Sequence, residues 1–117
     1  PSMNFLKGKI VSRGGRKSVD IGDGVLLPLE GVSAEEGRPV TYGIRPEHIT
    51  IGEGGIPVKV SVFEPTGSET LIFGRLAGTP IDALLRERID GEPGQMLPFR
   101  IDPRHAHVFD SETGKRL

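Results

Sequence analysis

Val40-Thr41-Tyr42-Gly43-Ile44-Arg45-Pro46-Glu47-His48-Ile49 is the stretch on which the reading of this chain turns. Val40, Tyr42 and Ile44 alternate with Thr41, Gly43 and Arg45, so a strand is expected with one apolar face and one small or polar face. Pro46 then disfavours the α region for Arg45 and suits the first position of a helical turn, which places Glu47 and His48 on a short turn at the strand's end. About 57 residues later the plan returns, a spacing of the kind that marks an internal repeat. Gly37-x-x-Val40-x-x-x-Ile44-Arg45-Pro46-Glu47-His48 stands against Gly94-x-x-Leu97-x-x-x-Ile101-Asp102-Pro103-Arg104-His105. We therefore expect two similar halves, approximately residues 1–55 and 56–117, within one unit of 117 residues.

Working outward, Phe5 to Val11, Lys17 to Ile21 and Val25-Leu26-Leu27 read as three strands ahead of the Val40 strand, joined at Gly14-Gly15 and Asp23-Gly24. The second half follows the same order. Val58, Val60 and Val62 are expected on one face, Leu71 to Leu76 as the return strand, Ile81 to Leu85 as a third and Met96 to Ile101 as a fourth, with Val108-Phe109 as a last short strand. Pro80 to Arg88 contains good helix formers, yet Gly78-Thr79-Pro80-Ile81 occupies the place of Gly22-Asp23-Gly24-Val25, which favours a strand. Seventeen glycines and ten prolines punctuate these short apolar runs, none of which nears the roughly 20 residues of a membrane helix. The fold class expected is all-β, with two Greek-key barrel modules of the oligonucleotide/oligosaccharide-binding (OB) type and short helical turns.

Composition narrows the chemistry. The chain has no cysteine, which removes disulfides, zinc thiolates and thiol catalysis and fits a reducing compartment. Fifteen basic and 16 acidic residues leave a net charge of −1, with no overall pull toward nucleic acid or an anionic membrane. Lys7, Lys9, Arg13, Arg16 and Lys17 nevertheless precede the first acidic residue, Asp20, so the first hairpin is locally basic. Gly14-Gly15-Arg16-Lys17-Ser18 lacks the Gly-Lys-Ser/Thr order of a phosphate loop and lies in a hairpin, so it reads as a basic turn. His105-x-His107 puts two imidazoles on one strand face with no third ligand nearby, and no metal is assigned. Glu47 and His48 are adjacent on a turn with no nucleophile or oxyanion donor in view, and no catalytic residue is assigned. An OB-type module for nucleic acid or a small anion is the alternative function, with the basic hairpin as its surface. Against it, Phe5, Tyr42, Phe63, Phe73, Phe99 and Phe109 lie mostly within apolar alternation, where a core role is expected. Glu64-Pro65-Thr66-Gly67-Ser68-Glu69-Thr70 reads as a tight turn or a protein-contact loop.

Four segments taken together resemble a known family. They are Pro1-Ser2-Met3-Asn4-Phe5-Leu6, Gly43-Ile44-Arg45-Pro46-Glu47-His48, Glu64 to Thr70, and Asp102-Pro103-x-x-x-His107-Val108-Phe109-Asp110-x-x-Thr113-Gly114-x-x-Leu117. In this order they are similar to the carboxy-terminal regulatory region, often called a TOBE domain, of ATP-binding subunits from maltose-type ABC importers. The resemblance implies paired OB-like modules and a piece cut from a longer protein, in keeping with a first residue that is not methionine. It implies a non-enzymatic regulatory and dimerisation role in carbohydrate or glycerol 3-phosphate import, because the Walker A, signature and Walker B motifs have no counterpart here. ATP and magnesium would belong to the nucleotide-binding domain, and no cofactor is assigned to these residues. The partners implied are a second copy of the subunit, the nucleotide-binding domain, the membrane subunits indirectly and a regulatory protein or ligand. The location implied is the cytoplasmic face of the bacterial inner membrane. By the same carry-over Arg45, Pro46, Glu47 and His48, with Gly67, Ser68 and Glu69, are the candidate dimer or inter-domain contacts.

Overall fold

Alternating burial along each strand sets the architecture, which we describe for residues 2–117 of a computed structural model; Pro1, the first residue of the first family-like segment, lies outside the described residues. In chain order the strands are β1 (Asn4–Arg13), β2 (Arg16–Asp20), β3 (Leu26–Pro28), β4 (Pro39–Ile44), β5 (Ile49–Thr66), β6 (Glu69–Leu76), β7 (Thr79–Leu85), β8 (Met96–Ile101) and β9 (His107–Asp110). Two 3-10 turns, Pro46–His48 and Pro103–His105, follow β4 and β8. The all-β expectation holds, and the region where a helix competed is strand β7, with Ile81, Ala83 and Leu85 buried on one face. No helix among the described residues is long and apolar enough to cross a membrane.

The strands form two antiparallel sheets, of order β3-β2-β1-β4-β9 and β7-β6-β5-β8. Four strands of the first sheet thus have the same order as the second sheet shifted by four, and each set ends in a proline turn. Residue 55 falls inside β5, and β9 returns to the first sheet, where Thr41 faces Phe109 and Tyr42 faces Val108. Within β5 the chain makes an excursion: Ile51 and Ile56 both sit opposite Phe99, with Gly54 at a positive φ of 81° between them. Such an interruption lets one long strand bend from the turn into the second sheet.

One apolar cluster runs through both sheets and includes Leu6, Ile10, Leu27, Tyr42 and Ile44 from the first and Val58, Ile72, Ile81 and Phe99 from the second. The Tyr42 hydroxyl donates to the Pro28 carbonyl at 2.7 Å, so its burial leaves no orphaned donor. Burial pushes the acidity of that hydroxyl down, that is, its pKa well up.

Two expectations are corrected. Val58 and Val60 are fully buried as expected, but Val62 is 46% exposed, because the β5–β6 register shifts between Val60 and Val62. The extra residue reverses the alternation, and Phe63 becomes the half-buried one. Phe5 is not a core residue: Asn4 and Leu6 take the inward positions of β1, which turns Phe5 out at 55% exposure. There it meets Phe109 edge to face, with ring centroids 6.2 Å apart.

Asn4 is the inward polar residue of β1, and it joins the two sheets. Its Nδ2 donates to the Asp82 carbonyl and its Oδ1 accepts from the Asp82 N–H, both at 2.8 Å. A carboxamide thus does for the outer edge of β7 what a neighbouring strand would do. Asn4→Ala strands both backbone groups and is expected to destabilise the fold by roughly 2–4 kcal/mol. Urea unfolding at an unchanged m-value checks this; a loss below about 0.5 kcal/mol would show that water replaces the carboxamide freely.

Candidate functional site at the paired proline turns

Arg45 is extended, with φ −77° and ψ 144°, and Pro46 occupies the first position of the turn. This is the conformation that proline demands of its predecessor. The His48 N–H donates to the Arg45 carbonyl at 3.0 Å, and the Ile49 N–H to Pro46, which closes the turn. Pro46 is buried, whereas Arg45 is exposed and forms no salt bridge among the described residues. The second turn is built alike but capped differently. The Asp102 carboxylate accepts from the Arg104 N–H at 3.0 Å, and the Arg104 guanidinium returns to the same carboxylate at 2.7 Å. Those bonds to Arg104 hold the Asp102 carboxyl down at about 2.

The two turns meet through their last residues. The His48 and His105 rings stack with centroids 4.0 Å apart and planes 21° from parallel. His48 is half-buried and His105 exposed, so the second ring shields the first. His107 lies two residues on, opposite Gly43 across β4 and β9. Its Nδ1 is buried without a hydrogen-bond partner, as is that of His48. Burial first, then the charges of Arg116, Arg45, His48 and His105, lower the His107 pKa from its ordinary value. Glu47 points elsewhere: with Ile49 to Ile51 and Leu84 to Glu87 it lines a cleft of about 340 Å³, and its Oε1 is buried without a partner.

The structure therefore brings Arg45 and His48 together with His105 and His107 but divides the remaining candidates among other places. Gly67 and Ser68 form the exposed two-residue turn between β5 and β6, with Gly67 at a φ of 74° and Glu69 opening β6. The Arg88 guanidinium reaches the Gly67 carbonyl at 3.5 Å, and among the described residues no hydrogen bond or salt bridge joins this tip to the Arg45–His48 turn. The Glu64–Thr70 segment is a tight hairpin, and Thr70 is buried in it, donating to the Glu87 carbonyl and accepting from the Ile89 N–H, both at 2.9 Å. Among the described residues no three His, Cys, Asp or Glu side chains converge as a metal-holding group, so the three histidines do not make one. Sequence reasoning missed two features beside the turns. The first is Asn4, whose partner lies 78 residues away. The second is the outward face of the first sheet, where Phe5, Phe109 and Met3 crowd over Gly43; a Cβ on Gly43 would come within 2.6 Å of Met3 Sδ.

Comparison with known proteins gives matches along the chain. The model described as the MalK OB fold domain matches residues 1–49, and that described as the TOBE domain matches residues 42–109. An uncharacterized ABC transporter ATP-binding protein of Sinorhizobium fredii is 44% identical over 118 residues, covering 100% of this chain and 32% of the relative. A putative ATP-binding protein of Brucella abortus is 39% identical over 125 residues, covering 100% of this chain and 33% of its own. The sn-glycerol-3-phosphate import ATP-binding protein UgpC of Salmonella typhi is 36% identical over 121 residues, with 100% and 33% covered. The chain thus spans about a third of the length of these curated relatives.

His107 supplies a pH signature for this end of the molecule. Its folded pKa lies below the ordinary 6.5, so on acidification the unfolded chain takes up a proton before the folded one. The stability it contributes is present above the unfolded pKa and is lost as pH falls through the folded value. Between about pH 7.5 and about pH 5.5 the wild type is expected to lose more stability than His107→Gln, by urea midpoints. Equal losses in the two proteins would contradict the assignment.

Proposed function

The chain belongs to the TOBE domain family, here joined to an OB fold of the MalK type, and from that premise we propose that it is the non-catalytic regulatory and dimerisation domain of an ATP-binding subunit of a sugar-type ABC importer. Its likeness, along all of the given sequence, to about a third of each of several ATP-binding subunits, including a glycerol 3-phosphate import subunit, supports carbohydrate or glycerol-phosphate import as the process served. The partners on this reading are a second copy, the nucleotide-binding domain that holds ATP and magnesium, and through it the membrane subunits at the cytoplasmic face of the inner membrane. On this reading the domain comprises two similar halves, approximately residues 1–55 and 56–117.

The single observation that carries the contact role is the outward face of the first sheet. Phe5 and Phe109 stand on it as a half-open aromatic pair, and the register of Asn4 with Ile44 and Phe5 with Gly43 puts Arg45, which forms no salt bridge among the described residues, at its end. A half-open aromatic pair beside a guanidinium that forms no salt bridge among the described residues has the composition of an interface centre rather than of ordinary surface. Pro46 and the turn hydrogen bonds fix the backbone that presents Arg45, and Glu47 and His48 complete the turn. Gly67, Ser68 and Glu69, at a separate tip, are assigned to the contact with the adjoining domain.

Sedimentation equilibrium over a range of concentration tests this. A reversible dimer is expected, weakened about tenfold or more by Arg45→Glu and by Phe5→Ser, the latter removing an anchor of the hot-spot kind. A strict monomer at about 1 mM would contradict self-association through this face.

A further inference from the structure

The outer face of the second sheet has no part in the function proposed above. In β6, Thr70, Ile72, Gly74 and Leu76 are buried, so Leu71, Phe73 and Arg75 point away from the core. Directly opposed residues of an antiparallel pair share a face, and the register therefore carries this one across the neighbouring strands. Phe73 lies between Val62 on β5 and Asp82 on β7, and Leu71 between Glu64 and Leu84. Arg75 lies opposite Lys59, which in turn faces Met96 on β8.

Val62, Phe73, Leu71 and Leu84 thus form an apolar band across three strands, with Asp82 at its rim on the edge strand. None of the four packs into the apolar cluster between the sheets. Among the described residues the exposed large apolar side chains are Phe5, Val62 and Met96, and all but Phe5 belong to this face. The bulge between Val60 and Val62 is what puts Val62 there, since unbroken alternation after the buried Val58 and Val60 would carry it inward. Bulges of this kind re-aim a side chain toward a contact.

Charge is divided along the same face. Lys59 and Arg75 stand side by side at one end of the band, and Glu64 stands at the other. Among the described residues neither Lys59 nor Glu64 forms a salt bridge, and Arg75 donates only to the Gly78 carbonyl, at 2.9 Å. A partner of uniform charge would be repelled at one end or the other. A second copy would not, because the face is complementary to itself: a two-fold axis crossing the strands lays the cationic end of each copy over the anionic end of the other, with the apolar bands in contact.

We propose that the outer face of the second sheet is a second self-contact, in which the Val62–Phe73–Leu71–Leu84 band of one copy packs on that of another and Lys59 of each lies beside Glu64 of the other. It lies on the other sheet from Phe5 and Arg45, so it is additional to the dimer contact proposed above, does not rest on it, and joins such dimers to one another.

The test is sedimentation equilibrium on the Phe5→Ser chain, in which the first-sheet contact is weakened, with amide chemical shifts followed across concentration. This chain is expected still to dimerise reversibly below about 1 mM, with concentration-dependent shifts at Val62, Leu71, Phe73 and Leu84. Adding Val62→Asp is expected to weaken that association about tenfold or more. Lys59→Glu and Glu64→Lys should each weaken it about threefold or more, and the two together should return it to within about twofold of the Phe5→Ser chain. Lys59 and Glu64 are about 15 Å apart along β5, too far to pair within one copy, so such a rescue reports a contact between copies. A Phe5→Ser chain that stays monomeric to about 1 mM overturns the proposal and leaves the first-sheet dimer standing. Association that Val62→Asp does not weaken, or charge reversals whose losses simply add, also overturns it. Wild-type association that ignores Phe5→Ser and Arg45→Glu but is lost with Val62→Asp supports this contact and removes the first-sheet one.

Discussion

Everything else in this fold depends on how its two sheets are held against each other, and the contact that fixes them is made by equivalent residues of a repeated plan. Each set of four strands ends in a proline turn, and the turns meet where His48 stacks on His105 at 4.0 Å. Asn4 adds a second joint by meeting both backbone groups of Asp82 on β7, the edge strand of its sheet. An unpaired edge is a template for unwanted association, and a single carboxamide closes this one at the point where the sheets cross. The third joint is β9, which follows the second turn directly and pairs with β4. It is locked in place by the Arg38–Asp110 ion pair at 2.7 Å.

These joints determine which surfaces remain for other molecules. With β9 covering one side of β4, the first sheet offers its outer face, where Phe5 is exposed and Phe109 half-buried next to Arg45. The opposite boundary, between β2–β3 and β8, is left as a groove because the short β3 ends at Pro28, whose ring prevents further pairing while its carbonyl holds the Tyr42 hydroxyl. The chain covers about a third of the length of these relatives.

Alternation alone made most strands legible, because a half-buried strand writes its two faces into successive residues. It failed at Val62, where a bulge reverses the faces without any mark in composition, and at Phe5, where Asn4 and Leu6 hold the inward positions and an aromatic is left outside. The meeting of His48 and His105 was half legible: their equivalence after Pro46 and Pro103 showed in the spacing, but nothing in a linear sequence says that equivalent residues touch. The approach of Pro103 to Arg16 and Pro28 was not legible at all, since these residues come together only through the packing of two sheets. The Asn4 joint failed for the same reason, as a polar residue at the start of a strand carries no sign that its partner is a backbone far downstream.

Native-state amide hydrogen exchange most directly tests whether the paired turns, the Asn4 joint and β9 make the two sheets one cooperative body. The account predicts that the slowest amides of the first sheet, around Leu6 and Tyr42, and those of the second, around Ile72 and Ala83, share a single opening free energy equal to that of global unfolding. If the second sheet instead exchanged through its own opening, lower by about 2 kcal/mol or more, the sheets would be independent modules. The shared clasp would then not be what holds the molecule together.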